Sequence, residues 1–308
     1  MERREILLTQ ERIISRDPVH AYEQVRRRIR RRQRRIWIGR ACMAAACMAL
    51  GYGLFWFSHP EQGLTGSAAQ LITVESKPGM RTSFRLPDST LVYLNSGSIL
   101  KYPIPFDDKE RRLQLSGEAY FKVSHNPELP FLVDVLNNEL TIKVLGTEFN
   151  VEAYCEDEII NTTLVQGSLL IIADARAGES PTQVLVPSER ATYFRAGRQM
   201  DVKVVDMACD TGWLDGKIIL KDTPLPEMLR KLTHYYNVDF IVSDPVLESY
   251  SFTGVFDDRQ LSQVLDYLKI SSGINFRITL PLKDDSESIN RRKVYLSKEA
   301  VRHGRQQQ

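Results

Sequence analysis

The sequence predicts a single transmembrane helix followed by an all-β domain of many short strands and a small α+β domain built from two βαβ-like halves. Three observations predict it. An apolar run near the N-terminus follows a block of arginines. Short alternating segments punctuated by turn residues fill the middle of the chain. Two helical periodicities, each set between short strands, occupy its end. The expected divisions are a basic segment 1–35, a span 36–57, a linker 58–69, a β domain 70–200, an α+β domain 213–300 and a disordered tail 301–308.

The span reads IWIGRACMAAACMALGYGLFWF, with Arg40 as its one charge. At about 1.5 Å per residue it forms roughly 33 Å of helix, enough to cross a hydrocarbon core of about 30 Å. Arg40 sits one turn from the N-terminal end, where its long stem reaches the interface. Trp37 at one edge and Tyr52 and Trp56 at the other suit the aromatic belts. A cleaved signal peptide would need a shorter apolar region and a small-x-small site, and Phe55-Trp56-Phe57-Ser58-His59-Pro60 offers none. Arg26, Arg27, Arg28, Arg30, Arg31, Arg32, Arg34 and Arg35 precede the span, and no Lys or Arg follows it before Lys77. Positive charge stays inside, so residues 1–35 are expected in the cytoplasm and 58–308 beyond an inner membrane. With the arginines so concentrated, a net charge of +2 leaves the remaining chain acidic, which argues against nucleic-acid binding.

In the β domain, strands are expected at 70–76, 82–86, 91–95, 111–115, 119–123, 131–135, 140–145, 148–153, 159–165, 168–172, 183–186 and 191–194. Thr141-Ile142-Lys143-Val144 shows the alternation of a half-buried strand. Pro78-Gly79, Pro87-Asp88-Ser89, Asn95-Ser96-Gly97, Asn137-Asn138 and Gln166-Gly167 supply the turns.

After Trp213 the pattern changes. A strand is expected at 217–221, and Asp222-Thr223-Pro224 is expected to cap a helix that runs to about residue 236. Leu225, Met228, Leu229 and Leu232 recur on one face of it. Strands at 238–242 and 251–256 follow, then a helix at 261–270 with Leu261, Val264, Leu265 and Leu268 on one face. Strands at 275–280 and 293–296 close the domain around a charged hairpin at 283–292.

Enzyme chemistry is not indicated. His20, His59, His125, His234 and His303 are scattered, and no nucleophile, nucleotide or zinc motif is present. No catalytic residue, metal or cofactor is expected. His234 beside Tyr235 and Tyr236 reads as a packed helical residue, and Glu156-Asp157-Glu158 as a solvated loop. Cys42 and Cys47 lie in the apolar run, and the spacing of Cys155 and Cys209 carries no metal or redox signature. Gly146-Thr147 admits two readings. A threonine hydroxyl can attack the preceding carbonyl across a strained turn, forming an ester that later hydrolyses. Alternatively Gly146 supplies an unusual φ in a β-bulge and Thr147 is an ordinary strand residue.

Several ordered blocks resemble the periplasmic domain of FecR-type anti-sigma regulators. They are Pro78-Gly79, Leu86-Pro87-Asp88-Ser89-Thr90-Leu91-Val92-Tyr93-Leu94-Asn95-Ser96-Gly97-Ser98, Leu115-Ser116-Gly117-Glu118-Ala119-Tyr120-Phe121-Lys122-Val123 and Pro130-Phe131-Leu132-Val133. The run Val144-Leu145-Gly146-Thr147-Glu148-Phe149-Asn150-Val151-Glu152-Ala153-Tyr154 and then Leu164-Val165-Gln166-Gly167-Ser168 continue them. The part from Trp213 looks like the companion domain of these regulators, related in fold to the signalling domain of secretins and TonB-dependent transporters. Ser89 and Ser188 stand where the family usually has Gly.

The resemblance implies a regulator that relays a signal from an outer-membrane TonB-dependent transporter to a cytoplasmic extracytoplasmic-function sigma factor. It implies docking of the transporter's periplasmic signalling domain, for which the strand edge Ser251, Phe252, Thr253, Gly254, Val255 and Phe256 is the expected surface. It also implies processing by periplasmic and intramembrane proteases, and self-cleavage between Gly146 and Thr147 as some relatives show. Family members commonly hold the sigma factor with a helical domain before the span. Here residues 18–32 offer one amphipathic helix with Tyr22, Val25 and Ile29 on a face. The rival readings are a membrane-anchored periplasmic scaffold that binds no sigma factor and a membrane-tethered hydrolase.

Overall fold

The computed structural model describes residues 43, 45–52, 54, 69–174, 181–279 and 291–298. The chain forms two compact units, 1–66 and 67–308. In the first, residues 43, 45–52 and 54 are helical and exposed. Among the described residues no helix is long and apolar enough to cross a membrane. Most of the span expected at 36–57 lies outside them, as do Tyr22, Val25 and Ile29, most of the hairpin expected at 283–292, and the tail.

The second unit is mostly β-structure, beginning with a curled sheet. Its strands are β1 (Gln70–Glu75), β2 (Thr82–Arg85), β3 (Leu91–Leu94), β4 (Ile99–Ile104), β5 (Arg111–Lys122), β6 (Phe131–Val135), β7 (Leu140–Val144), β8 (Glu148–Ala153), β9 (Ile159–Gln166), β10 (Leu169–Ala173), β11 (Thr182–Leu185), β12 (Glu189–Phe194) and β13 (Gln199–Val204). They form two layers, β1-β4-β5-β6-β7-β10-β11 and β2-β3-β5-β8-β9-β12-β13, which share β5. The layers face each other across one core. Phe121 packs on Phe131 from the other layer, with ring centroids 5.9 Å apart, and on Phe149 at 5.1 Å. Leu94, Leu113, Val133, Ile142 and Leu164 complete its centre. Each such side chain stabilises the fold by roughly 1.5–3 kcal/mol through burial.

Two strands were expected where β5 runs unbroken. Gly117 bends the strand instead of ending it. It has φ +104°, and a Cβ there would stand 2.5 Å from Ser98 Oγ and 2.6 Å from Ser98 Cα. With no side chain at the bend, Arg111–Leu115 pairs with β6 and Gly117–Lys122 with β8. One strand thereby feeds both layers.

Two strands escaped the sequence pattern. β4 contains Pro103, which reads as a strand breaker. It stands opposite Leu71 of β1, beyond the stretch Ile99–Lys101 that pairs with β5. The proline therefore sits where β4 has a single neighbour and disrupts only one ladder. Among the described strands β13 pairs with β12 alone, and an exposed edge strand leaves little hydrophobic signal.

Arg111 is a buried anchor. Its guanidinium donates to Asp88 Oδ2 at 2.6 Å and to the carbonyls of Ser124 and Leu129 at 2.9 Å each, and lies over the Phe131 ring. Ser89 and Ser188 both adopt left-handed conformations, with φ 71° and 73°.

The α+β part contains β14 (Lys217–Pro224), α1 (Leu225–Tyr236), β15 (Val238–Val242), β16 (Ser251–Asp257), α2 (Leu261–Ser272), β17 (Ile274–Thr279) and β18 (Arg292–Lys298). The expected elements are present, but the halves are not self-contained. β14 pairs antiparallel with β16, whereas β15 and β17 flank β18. A βαβ unit must carry its chain back to the sheet it left. Here α1 follows Pro224 directly, and a single left-handed Asn237 separates it from β15. No loop remains for the return, so the halves exchange strands. The expected cap is also absent: Thr223 Oγ1 accepts the Lys221 N–H, and Pro224 opens α1 with no side-chain cap.

Candidate functional site

The strand proposed for docking is β16. It pairs with β14 alone among the described strands, so one side of its backbone lacks a ladder partner. Phe252 and Phe256 point into the core, while Ser251, Thr253 and Val255 are exposed. The Tyr267 hydroxyl reaches Thr253 O at 3.5 Å.

Gly146 and Thr147 join β7 to β8. Gly146 is not among the residues with positive φ, so it does not supply the unusual φ of the bulge reading. A close approach explains the glycine. A Cβ there would lie 2.5 Å from His125 Nδ1 and 2.7 Å from His125 Cα. Thr147 is buried, and its hydroxyl donates to Ser168 O at 2.9 Å. The two residues line a groove of about 580 Å3 with His125, Lys143 and Ser168.

The densest polar constellation lies where α1 meets the β domain. One face of α1, Leu225, Met228, Leu229 and Leu232, fills its own core. The other carries Glu227, Arg230, Lys231 and His234 onto β8, β9, β12 and the following turns. Arg230 pairs with Glu152, and with Asp157 at 3.4 Å. Lys231 pairs with Asp210 at 3.0 Å and donates to Cys209 O. His234 Nε2 lies 2.9 Å from Asp157 Oδ2, and its ring stacks on Tyr154 with centroids 3.5 Å apart. Arg190 of β12 joins Asp210 at 3.2 Å and Glu227 at 3.1 Å.

Beside this cluster is a cavity of about 40 Å3, lined by Glu118, Asn150, Glu152, Trp213, Lys231 and others. Glu118 Oε2 accepts from Asn95 Nδ2 at 2.7 Å, and its Oε1 from Asn150 Nδ2 at 2.9 Å. Burial, reinforced by the nearby Glu152 carboxylate, pushes Glu118 up to about 8. Burial acts the same way on Glu152, but Arg230, Lys231 and His234 outweigh it and hold that carboxyl below its usual range. Asp210 is likewise lowered: Lys231 and Arg190 overcome its burial. Two neighbouring glutamates thus favour opposite protonation states.

Glu152, Asp157 and His234 each offer a ligand atom within 4.8 Å of the others. The Arg230 guanidinium already bridges both carboxylates, so the trio reads as an ion-pair network and not a metal centre. The triplet Glu156-Asp157-Glu158, expected as a solvated loop, is part of that network: Asp157 binds Arg230 and His234, and Glu156 binds Arg291 at 2.7 Å. Cys155 and Cys209 are free thiols. The sequence held a usable signal for this seam. On α1, positions 227, 230, 231 and 234 recur at helical spacing and mark a second face, which the hydrophobic pattern alone passes over as solvated.

Comparison with known proteins places this geometry. The model described as "FecR protein" matches residues 72–170, and that described as "FecR, C-terminal" matches residues 217–281. No curated protein matches the chain. Two crystal structures of a protein assigned as an anti-sigma factor of Parabacteroides distasonis are similar to it. One has a TM-score of 0.62 at 27% identity, covering 74% of this chain and 100% of the other. The second has a TM-score of 0.61 at 27% identity, covering 75% and 100%. Both matched segments lie in order within the architecture described above, and the chain belongs to the FecR family of anti-sigma regulators.

Proposed function

We propose that the chain is held in an inner membrane by residues 36–57. In this reading, residues 1–35 restrain an extracytoplasmic-function sigma factor in the cytoplasm, and the β and α+β domains receive a signal in the periplasm. The signal comes from the periplasmic domain of an outer-membrane TonB-dependent transporter, and proteolysis passes it on. The observation that carries the regulator reading is the presence of both FecR modules in one chain, together with a structural relative assigned as an anti-sigma factor. The arginine block before an apolar run supports the topology.

The transporter step rests on β16. An unpaired strand edge accepts a further strand through backbone hydrogen bonds, without an enzyme-like pocket. Exposed Val255 and Thr253 flank that edge. Val255→Glu with Thr253→Glu is expected to abolish binding of the transporter domain while leaving the fold intact. Unchanged affinity would move the docking surface elsewhere.

The test of the whole reading is affinity capture of the full-length chain from its host. Co-purification of one sigma factor, lost on replacing Tyr22, Val25 and Ile29 by Asp, supports it. Capture of periplasmic partners without a sigma factor would favour the anchored scaffold. Mass spectrometry of the same preparation reads the Gly146–Thr147 bond: fragments ending at Gly146, absent from Thr147→Ala, would establish self-cleavage.

A further inference from the structure

We propose that the face of α1 carrying Arg230, Lys231 and His234 is an electrostatic latch that holds the α+β domain closed on the β domain and releases it without unfolding either. The first ground is the separation of the cores. One apolar cluster runs from Leu86 to Tyr193 and the other from Ile218 to Leu296, and no residue belongs to both. Parting the domains therefore leaves each core assembled, and the apolar surface it uncovers is chiefly that of Trp213 and Tyr154, far less than unfolding a domain would expose.

The second ground is the chemistry of the contact. The helix brings Arg230, Lys231 and His234 onto Glu152, Asp157 and Asp210, so basic groups meet acidic ones. Buried ion pairs of this kind recover their desolvation cost only when every polar atom is satisfied. Here Arg190 Nε, Arg230 Nη2 and His234 Nδ1 are buried with no hydrogen-bond partner among the described residues. A cavity of about 40 Å3, lined by His234, Lys231 and Glu152, lies in the seam and is large enough to admit water. Opening rehydrates these atoms, whereas a well-packed apolar interface would resist it. Closure is thus held by charge complementarity and opposed by desolvation, which makes a two-state contact with a small free-energy difference.

The third ground is the connection. After β13 the chain passes through a short helical turn, Ala208–Thr211, and a 3-10 turn, Gly212–Asp215, before β14. Trp213 in this segment is buried against the seam, yet it belongs to neither core. Its indole donates to Asn150 of the β domain, and its carbonyl accepts from Arg81. Opening withdraws this ring and uncovers Glu152 of β8 and Asp157 of the turn after it. On the reading proposed above, a partner on β16 would bias this equilibrium. The latch itself needs no partner, so its test fails or succeeds separately.

Trp213 reports the state directly. In the full-length chain in detergent, with Trp37→Phe and Trp56→Phe, it is the sole tryptophan. Acrylamide quenching of its emission is expected to rise several-fold in Arg230→Glu with Lys231→Glu, while the far-UV circular dichroism stays native. A shielded Trp213 in a folded variant would overturn the latch. A urea titration of the parent chain decides the matter even if that variant does not fold. The latch requires Trp213 to become exposed at lower urea than the loss of sheet signal. Coincident transitions would show the two domains to be one cooperative unit, and would overturn it.

Discussion

Asn150 holds the indole of Trp213: its Oδ1 accepts the Nε1–H at 3.2 Å, while its Nδ2 donates to Glu118 at 2.9 Å. One amide of β8 thus ties the segment before β14 to a buried carboxyl of β5. Asn150→Ala strands both partners in a buried site. It is expected to destabilise the chain by about 2 kcal/mol, read as a lower urea midpoint at constant slope.

Glu118 gives the protein a pH-dependent stability. Burial and the facing Glu152 raise it from 4.5 to about 8, against the opposing influence of Asn150, Asn95 and Lys231. The folded chain therefore keeps a proton that the unfolded chain has already lost. Its contribution is fully present below the ordinary carboxyl range and is lost as pH rises through the folded value. Stability should fall between about pH 5 and pH 8, and Glu118→Gln should flatten that slope. Glu152 acts in the opposite sense. Its carboxyl is held low, so its contribution is lost only in acid, and that acid arm should persist in Glu118→Gln. Thermal melts of both proteins across this range measure the two arms.

The bend in β5 depends on one missing side chain. Gly117→Ala must place a Cβ 2.6 Å from the Ser98 backbone at φ +104°. Left-handed strain and overpacking together are expected to cost about 2–4 kcal/mol. Loss of cooperative unfolding, or a melting temperature well below that of the parent, would show it.

Two serines offer the opposite change. Ser89 and Ser188 occupy left-handed turns, where a side chain costs about 1–2 kcal/mol and glycine costs some unfolded-state entropy in exchange. Ser89→Gly and Ser188→Gly should each stabilise by about 0.5–1 kcal/mol. Their effects should add, since β2–β3 and β11–β12 are separate turns. Denaturation of the single and double variants tests both statements.

By itself the sequence determined the kinds of elements and their order. Alternation in 141–144, the turn residues around Asn95-Ser96-Gly97, and the repeat of Leu225, Met228, Leu229 and Leu232 are local patterns. The helices α1 and α2 and most of the strands follow from them, because periodicity records which face is apolar. The family blocks from Pro78 to Ser168 were legible for the same reason: they are continuous in the chain. Tertiary structure decided what is not local. It ran β5 through Gly117 into both layers, placed Pro103 where only one neighbour is present, and exchanged strands between the halves of the α+β domain. It also turned the charged face of α1 inward. A lysine or arginine at helical spacing looks the same in sequence whether it faces water or a buried carboxylate. Only the juxtaposition of Arg230 with Glu152, residues far apart in the chain and each set beside a different core, shows which of the two it does here.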